Sequence, residues 1–297
     1  MNIRLKKLLL LPFNILYRIS PKIELSLLYR LKCKAKLNWD NPETYLEKLN
    51  WMKLHCRSEL MPRCADKYLA RQYIEERGYG KYLPKLLWEG FDPKQIPFDD
   101  LPEAFVIKST TGSGNNIICH NKSALNREKT IKQMKKWLKE KYLPCYGEWH
   151  YEHIVPRIIV EEFLSDGEHL VPADYKLFCF NGLPDSVGCV AVDLGRYVEH
   201  KRNIYDADFH FLPDVSFNFP RDYEANVQRP SMYEKMREIA QDLAKPFPHV
   251  RVDFFVIGEK FYIGELTFFN GAGYDLITPH SYNVQMGDWI VLPKNSE

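Results

Sequence analysis

Apolar residues recur every three or four positions in "NPETYLEKLNWMKLHC" and again in "CADKYLARQYIEERG", the spacing of helices that bury one face. The first opens on an Asn-Pro pair with an early glutamate and the second closes on Gly78, so each has helical start or stop chemistry. Between Pro84 and Pro102 proline, glycine and aspartate predominate, and a connection with little regular structure is expected. Beyond it the pattern becomes that of strands. "EAFVIKST" and "NIICH" are β-branched runs on either side of "TTGSGNN", which predicts a hairpin with the glycine loop at its tip. A charged helix at "LNREKTIKQMKKWLKEKY" leads to a strand at "RIIVEEFL". "ADYKLFCF" and "DSVGCVAVDL" are two more strands, with Asn181-Gly182 as the turn signal between them. A loop-rich aromatic stretch runs to Pro230, followed by a helix at "SMYEKMREIAQDLA" and a last strand pair in "VRVDFFVIGEKFYIGELTFFNGAG". Helices mixed with hairpins predict an α+β fold with antiparallel sheets.

Charge changes the picture at one end only. Of the net +2, the first 36 residues contribute +8, from nine Lys and Arg against the single acid Glu24, so the rest of the chain carries −6 and no nucleic-acid partner is expected. That basic segment mixes Leu, Ile and Phe with spaced cations, as a helix lying on a membrane surface does. Its longest uncharged run, Leu8 to Tyr17, is far short of the roughly 20 residues needed to span a bilayer. No small-residue cleavage site follows, which argues against export. Seven cysteines without a CxxC pair suggest reduced thiols in a cytoplasmic protein, with weak contact at the inner membrane face as an open alternative to a helix packed on the body. "HYEH" places His150 and His153 three apart, but without a third ligand pattern packing histidines are expected rather than zinc.

The candidate chemistry is concentrated in the last hairpin. With "GEK" (Gly258 to Lys260) as a three-residue loop, pairing is symmetric about Glu259, and Asp253 faces Glu265 across the strands. Facing carboxylates repel, a conflict that a divalent cation would remove. All-oxygen ligation with few protein donors suits Mg²⁺, whose remaining positions go to water and substrate phosphates. Alternation along the strands sets Arg251 beside Asp253 and Thr267 beside Glu265. The competing view is a polar sheet face with its charges paired to Arg251 and Lys260. Glu161 and Glu162 end an apolar strand, and Asp174 and Lys176 share a strand face. With Lys108 ahead of the glycine loop, these scattered groups suit a nucleotide triphosphate.

In order, "FVIKSTTGSGNNIIC", "RIIVEEFL", "DYKLFCFNG", "VRVDFF" and "FYIGELTFFNGAG" resemble the ATP-grasp superfamily. With "LNWDNPETYLEKLNWMKLH", "DKYLARQYI", "LPEAFVIKS", "GEWHYEHIVPRIIVEEFL" and "KRNIYD", residues 37 to 295 resemble its TupA-like family, named for teichuronopeptide synthesis and associated with bacterial surface polysaccharides. The resemblance implies an ATP-grasp fold with two α+β subdomains clamping ATP. It divides the chain into a basic segment (1–36), a helical region (37–100), a first subdomain with the glycine flap (101–165) and a second with the metal site (166–297).

By motif, the resemblance places Lys108 on the phosphates, Gly112-Ser113-Gly114 over them as a mobile flap, and Glu161, Glu162, Phe163 and Leu164 at the adenine edge. Glu168 or Asp174 would hold the ribose and Lys176 would be a second phosphate contact. Asp253 and Glu265 would bind Mg²⁺, and Arg251 would stabilise the transferring phosphoryl group. Many relatives have asparagine where Thr267 stands, which leaves Asn270 as a substitute third ligand, and many have histidine where Thr111 stands. The implied activity is an ADP-forming carboxylate–amine ligase acting on a uronic acid, an amino acid or a lipid- or nucleotide-linked sugar. The alternatives are a sugar-nucleotide glycosyltransferase, whose Asp-x-Asp motif has one instance at Asp206 to Asp208 that reads as a turn, and a non-catalytic nucleotide or glycan-binding module.

Overall fold

A computed structural model of the chain describes residues 8–112, 114–167, 172–195, 198–225 and 227–293. Two helices, α1 (Leu11–Ile19) and α2 (Pro21–Cys33), precede α3 (Tyr45–His55). The start of α3 is a capping box. Thr44 accepts from the backbone N–H of Glu47 and the Glu47 carboxylate accepts in return from that of Thr44, satisfying two donors that a helix end leaves open.

The segment expected as one helix around Lys67 is two, α4 (Leu60–Ala65) and α5 (Leu69–Glu76). Asp66 breaks it: its carboxylate accepts from the N–H groups of Tyr68 and Leu69 at 2.7 and 3.0 Å, starting a new helix in place of continuing the old one.

The first sheet has four antiparallel strands in the order β1 (Leu86–Gly90), β4 (Ile158–Glu162), β2 (Phe105–Ser109), β3 (Asn116–Cys119). The β2–β3 hairpin forms as the pattern predicts, with Lys108 opposite Asn116 at the glycine loop. The region from Pro84 to Pro102 is not merely a connection, because "LLWEG" pairs with β4 as β1. As an edge strand of five residues it lacks a long alternating signature.

The second sheet is antiparallel in the order β10 (Lys260–Thr267), β9 (His249–Ile257), β5 (Asp174–Phe180), β6 (Val187–Leu194), β7 (Lys201–Asp206). β7 lies inside the stretch that reads as loop, its strand character masked by charged and polar residues at both ends. A short pair, β8 (Ser216–Phe217) with β11 (Ile277–Thr278), completes the sheets.

Each large sheet has its own core. The four-stranded sheet buries Phe105, Ile107, Ile158 and Val160 against Met134 and Trp137 of α6 (Arg127–Trp137). The five-stranded sheet is covered by α7 (Tyr233–Ala244), through Met236, Ile239 and Leu243, and by Tyr45, Leu46 and Leu49 of α3, while α8 (His280–Asp288) adds Met286. Burial of each such side chain contributes about 1.5–3 kcal/mol. The region 37–100 is therefore shared, its helices joining the larger core and β1 the smaller sheet.

His150 lies buried in a 3₁₀ turn, Trp149–His153, packed on Tyr151 and Phe269. Burial pushes its imidazole down to about 3, so it is a neutral packing group. None of the seven cysteines, all of them described residues, is in a disulfide. Among the described residues, no helix is long and apolar enough to cross a membrane.

Candidate active site

The β9–β10 hairpin opposes its carboxylates as expected, but by another route. Lys260 faces Ile257 and Ile263 faces Phe254, so the turn holds two residues, Gly258-Glu259, not three. One extra residue, Gly264, then shifts the register, after which Glu265 faces Asp253 and Thr267 faces Arg251. A bulge of this kind re-aims side chains next to a site. A Cβ at Gly264 would lie 3.0 Å from the Phe255 ring and 3.4 Å from the Asp253 carbonyl oxygen, so the close approach favours glycine.

The repulsion between the two carboxylates is already relieved within the protein. Arg251 donates two bonds of 2.6 Å to Asp253, a third of 3.2 Å to Thr267, and lies 3.6 Å from Glu265. Lys67 stands 3.5 Å from the other Glu265 oxygen. Like charge across the strands therefore does not by itself require a metal, and the partners are Arg251 and Lys67, not the exposed Lys260.

On the neighbouring strand Lys176 faces Asp253 in register. Its ammonium donates to Asp174 and, at 2.9 Å, to Asp253, with Asp193 at 3.6 Å. Arg202 clamps Asp193 with bonds of 2.5 and 3.0 Å. Burial alone would push the Asp193 carboxyl up, but these Arg202 bonds and the Lys176 charge hold it well below the usual carboxylate range.

A cavity of about 450 Å³ opens between the sheets, a size suited to a nucleotide. Val106 and Ile118 line it from the first sheet and Phe255 and Val256 from the second, with Glu161, Glu162, Phe163 and Leu164 along the end of β4. Lys108, Asp174 and Asp193 supply its charged groups. A smaller cavity of about 80 Å³ extends toward the hairpin, bounded by Gly112, Gly114, Asp253 and Glu265, and Lys108 and Asp174 line both.

Thus the structure brings together Lys108, Gly112, Gly114, Glu161, Glu162, Phe163, Leu164, Asp174, Lys176, Arg251, Asp253 and Glu265. Ser113 and Glu168 lie outside the described residues. Asn270 is buried against Tyr45 and His249. Its amide nitrogen donates to the Tyr45 hydroxyl and lies 3.2 Å from His249 Nε2. His249 Nδ1 donates to the Cys179 carbonyl at 2.7 Å, which leaves Nε2 as an acceptor, and burial holds the ring neutral with its pKa near 3. The amide nitrogen of Asn270 is thus committed to Tyr45 and His249, while its Oδ1, the atom that would ligate a metal, is buried without a hydrogen bond to a described residue.

Two further groups, Lys67 and Arg71, reach the site without a sequence signal of their own. Lys67 donates to the Gly112 carbonyl at 2.8 Å while facing Glu265, so it ties the glycine loop to the hairpin. Arg71 and Lys108 each approach Glu161 at 2.7 Å.

Gly112 and Gly114 have φ of +73° and +80°, and no atom lies within 4 Å of a Cβ added at either. Alanine there meets only the left-handed backbone penalty, about 1–2 kcal/mol per residue. Replacing both with alanine is expected to cut ATP turnover at least several-fold while shifting the thermal midpoint by only a few degrees, measured by ADP release and by calorimetry.

The TupA-like ATPgrasp family model matches residues 47–291. No curated protein sequence shows significant similarity to the chain. Similar solved structures include D-alanine–D-alanine ligase from Bacillus anthracis complexed with ATP, 13% identical, with a TM-score of 0.41 over 69% of this chain and 54% of that one. The Helicobacter pylori D-alanine–D-alanine ligase is 14% identical, with a TM-score of 0.44 over 83% and 68%. The ATP-grasp ligase PsnB complexed with Mg and ADP is 12% identical, with a TM-score of 0.43 over 81% and 66%. The chain spans between about half and two thirds of the length of these structures, and at such scores the family assignment rests on the match over 47–291 alone. The chain belongs to the TupA-like ATP-grasp family, and its two antiparallel sheets with their helices form the α+β architecture of that fold.

Proposed function

We propose that this chain is an ATP-dependent carboxylate–amine ligase. A substrate carboxylate oxygen attacks the γ-phosphorus of ATP, releasing ADP and forming an acyl phosphate. The amine then attacks the acyl carbon and expels phosphate. The observation that carries this reading is the Asp253–Glu265 pair with Arg251 and Lys176, the two carboxylates bordering a cavity of about 80 Å³ that shares Lys108 and Asp174 with the apolar-walled one of about 450 Å³.

Val106, Ile118, Phe255 and Val256 would sandwich the adenine, the backbone at the end of β4 would read its edge, and Asp174 would face the ribose. Lys108 and Lys176 would exchange part of their carboxylate pairing for phosphate oxygens. The positive-φ glycines would turn backbone N–H groups onto the same oxygens. Arg251 would hold the transferring phosphoryl group and the later oxyanion. Among the described residues no group of three or more His, Cys, Asp or Glu could hold a metal alone. Two carboxylates with hard oxygen donors nevertheless fit Mg²⁺, which takes its remaining ligands from water and phosphate. Held by Asp253 and Glu265, Mg²⁺ would neutralise the triphosphate charge.

The substrate class we favour, a uronic acid or an amino-acid-bearing sugar of bacterial surface polysaccharide, follows from the family resemblance and has one structural support. A second cavity, about 700 Å³, touches the glycine loop at Thr111 and Gly112 and is walled by Tyr142, Tyr146 and Tyr151, aromatic surfaces on which a sugar ring packs. The glycosyltransferase alternative is weakened at its metal motif. The Asp206 carboxylate accepts from the N–H groups of Asp208 and His210 at 2.9 and 2.8 Å, which makes this segment a capped turn.

Incubation with Mg-ATP and a panel of amino acids and uronic acids is expected to yield ADP for at least one pairing, with hydroxylamine trapping the acyl phosphate as a hydroxamate. ADP without hydroxamate in every pairing, or turnover of sugar nucleotides alone, would overturn the ligase reading.

A further inference from the structure

The two N-terminal helices leave an apolar stripe uncovered. On α1 it is Leu11, Ile15 and Ile19, and on α2 Ile23, Leu27 and Leu31, with Ile19 and Ile23 76% and 60% exposed. The four-residue spacing keeps each set on one face of its helix. These are not helices lacking a place in the fold. The other side of α2 buries Leu25, Leu28 and Tyr29, and Asn14 of α1 accepts from the Cys145 backbone N–H at 3.0 Å. Exposure is thus confined to the outer faces of helices already anchored to the body. Exposed apolar surface of this kind on a folded chain marks an interaction site.

Charge selects the occupant. Arg18, Lys22 and Arg30 are exposed beside the stripe, while Glu24, the only acid in the first 36 residues, is fully buried. The outer faces of α1 and α2 therefore present aliphatic side chains and positive charge without a compensating carboxylate. A second copy of the chain would bring two such basic segments together, which their repulsion opposes. An anionic lipid surface satisfies both features at once, as its headgroups attract the cations and its acyl boundary receives the aliphatic side chains.

We propose that α1 and α2 dock this protein in the plane of an anionic membrane surface. Arg18 of α1 also lines the cavity of about 700 Å³ that reaches the glycine loop, so docking would hold that cavity beside the lipid. The proposal is independent of the ligase reading, because binding is measured without turnover.

The test is sedimentation of the full chain with vesicles of phosphatidylcholine alone or mixed with phosphatidylglycerol. Expected is binding to the anionic vesicles at least about tenfold tighter than to the neutral ones. Higher salt should weaken it, and the double variant Ile19→Glu/Ile23→Glu should lose at least tenfold. Both positions are exposed, so the variant's thermal midpoint should match the wild type, and Lys22→Glu/Arg30→Glu provides a second variant through charge alone. Equal sedimentation with both lipids, or undiminished binding by both variants, would overturn the proposal. So would absent vesicle binding together with self-association that Ile19→Glu/Ile23→Glu abolishes, since the face would then join two copies.

Discussion

Replacing Glu265 with glutamine is expected to lower ADP formation by about 10²–10³-fold, the range seen when one transition-state stabilising group is lost, and to leave stability nearly unchanged. The contrast comes from where Glu265 sits. Its side chain is about a third exposed, and its ion-pair distances to Arg251 and Lys67 are 3.6 and 3.5 Å. Such pairs contribute about 0–1 kcal/mol. The amide keeps the shape but removes the anionic oxygen that would hold Mg²⁺, so added Mg²⁺ should restore part of the rate. Asp253→Asn should be equally inactive but also less stable, because Asp253 is buried between Arg251 and Lys176. Wild-type ADP release in Glu265→Gln across a Mg²⁺ titration would remove this residue from the metal site.

The largest expected stability effect belongs to Lys176→Met. Lys176 is buried and is the cation placed among Asp174, Asp193 and Asp253. Methionine fills similar volume but removes the ammonium that Asp174, Asp193 and Asp253 share, and breaking a buried pair in this way costs about 3–5 kcal/mol. Urea denaturation should show that loss. Its pH dependence carries the mechanism. With Arg202, Lys176 holds the Asp193 carboxyl below its ordinary range, and a carboxylate depressed in this way contributes stability at neutral pH that is lost as pH falls through the carboxylate range. The gap between variant and wild type should therefore persist from pH 7 down to about pH 4 and narrow below it. Adding Asp174→Asn to Lys176→Met should recover part of the loss at pH 7. A deficit that does not change with pH would point to lost packing instead.

The sequence already carried the parts of this protein that depend on short-range geometry. Period-two alternation placed Arg251 with Asp253 and Asp174 with Lys176. The β-branched runs around "TTGSGNN" specified the β2–β3 hairpin, and the early glutamate after Asn-Pro marked the start of α3. Each of these follows from backbone periods of two or 3.6 residues and from caps within one turn. The facing of Asp253 and Glu265 was also foreseen, but its basis differed, a tighter turn corrected by the bulge at Gly264.

Only the tertiary structure decided the rest. It added β1 and β7 to the sheets, drew Lys67 and Arg71 from the helical region to Glu265 and Glu161, paired Lys176 with Asp253 across 77 residues, and set the Asn270 amide against Tyr45 and His249. It also left the apolar stripe of α1 and α2 facing outward. Hydrophobic spacing specifies which residues share a face; what that face meets depends on contacts between segments far apart in the chain, and no local period encodes them.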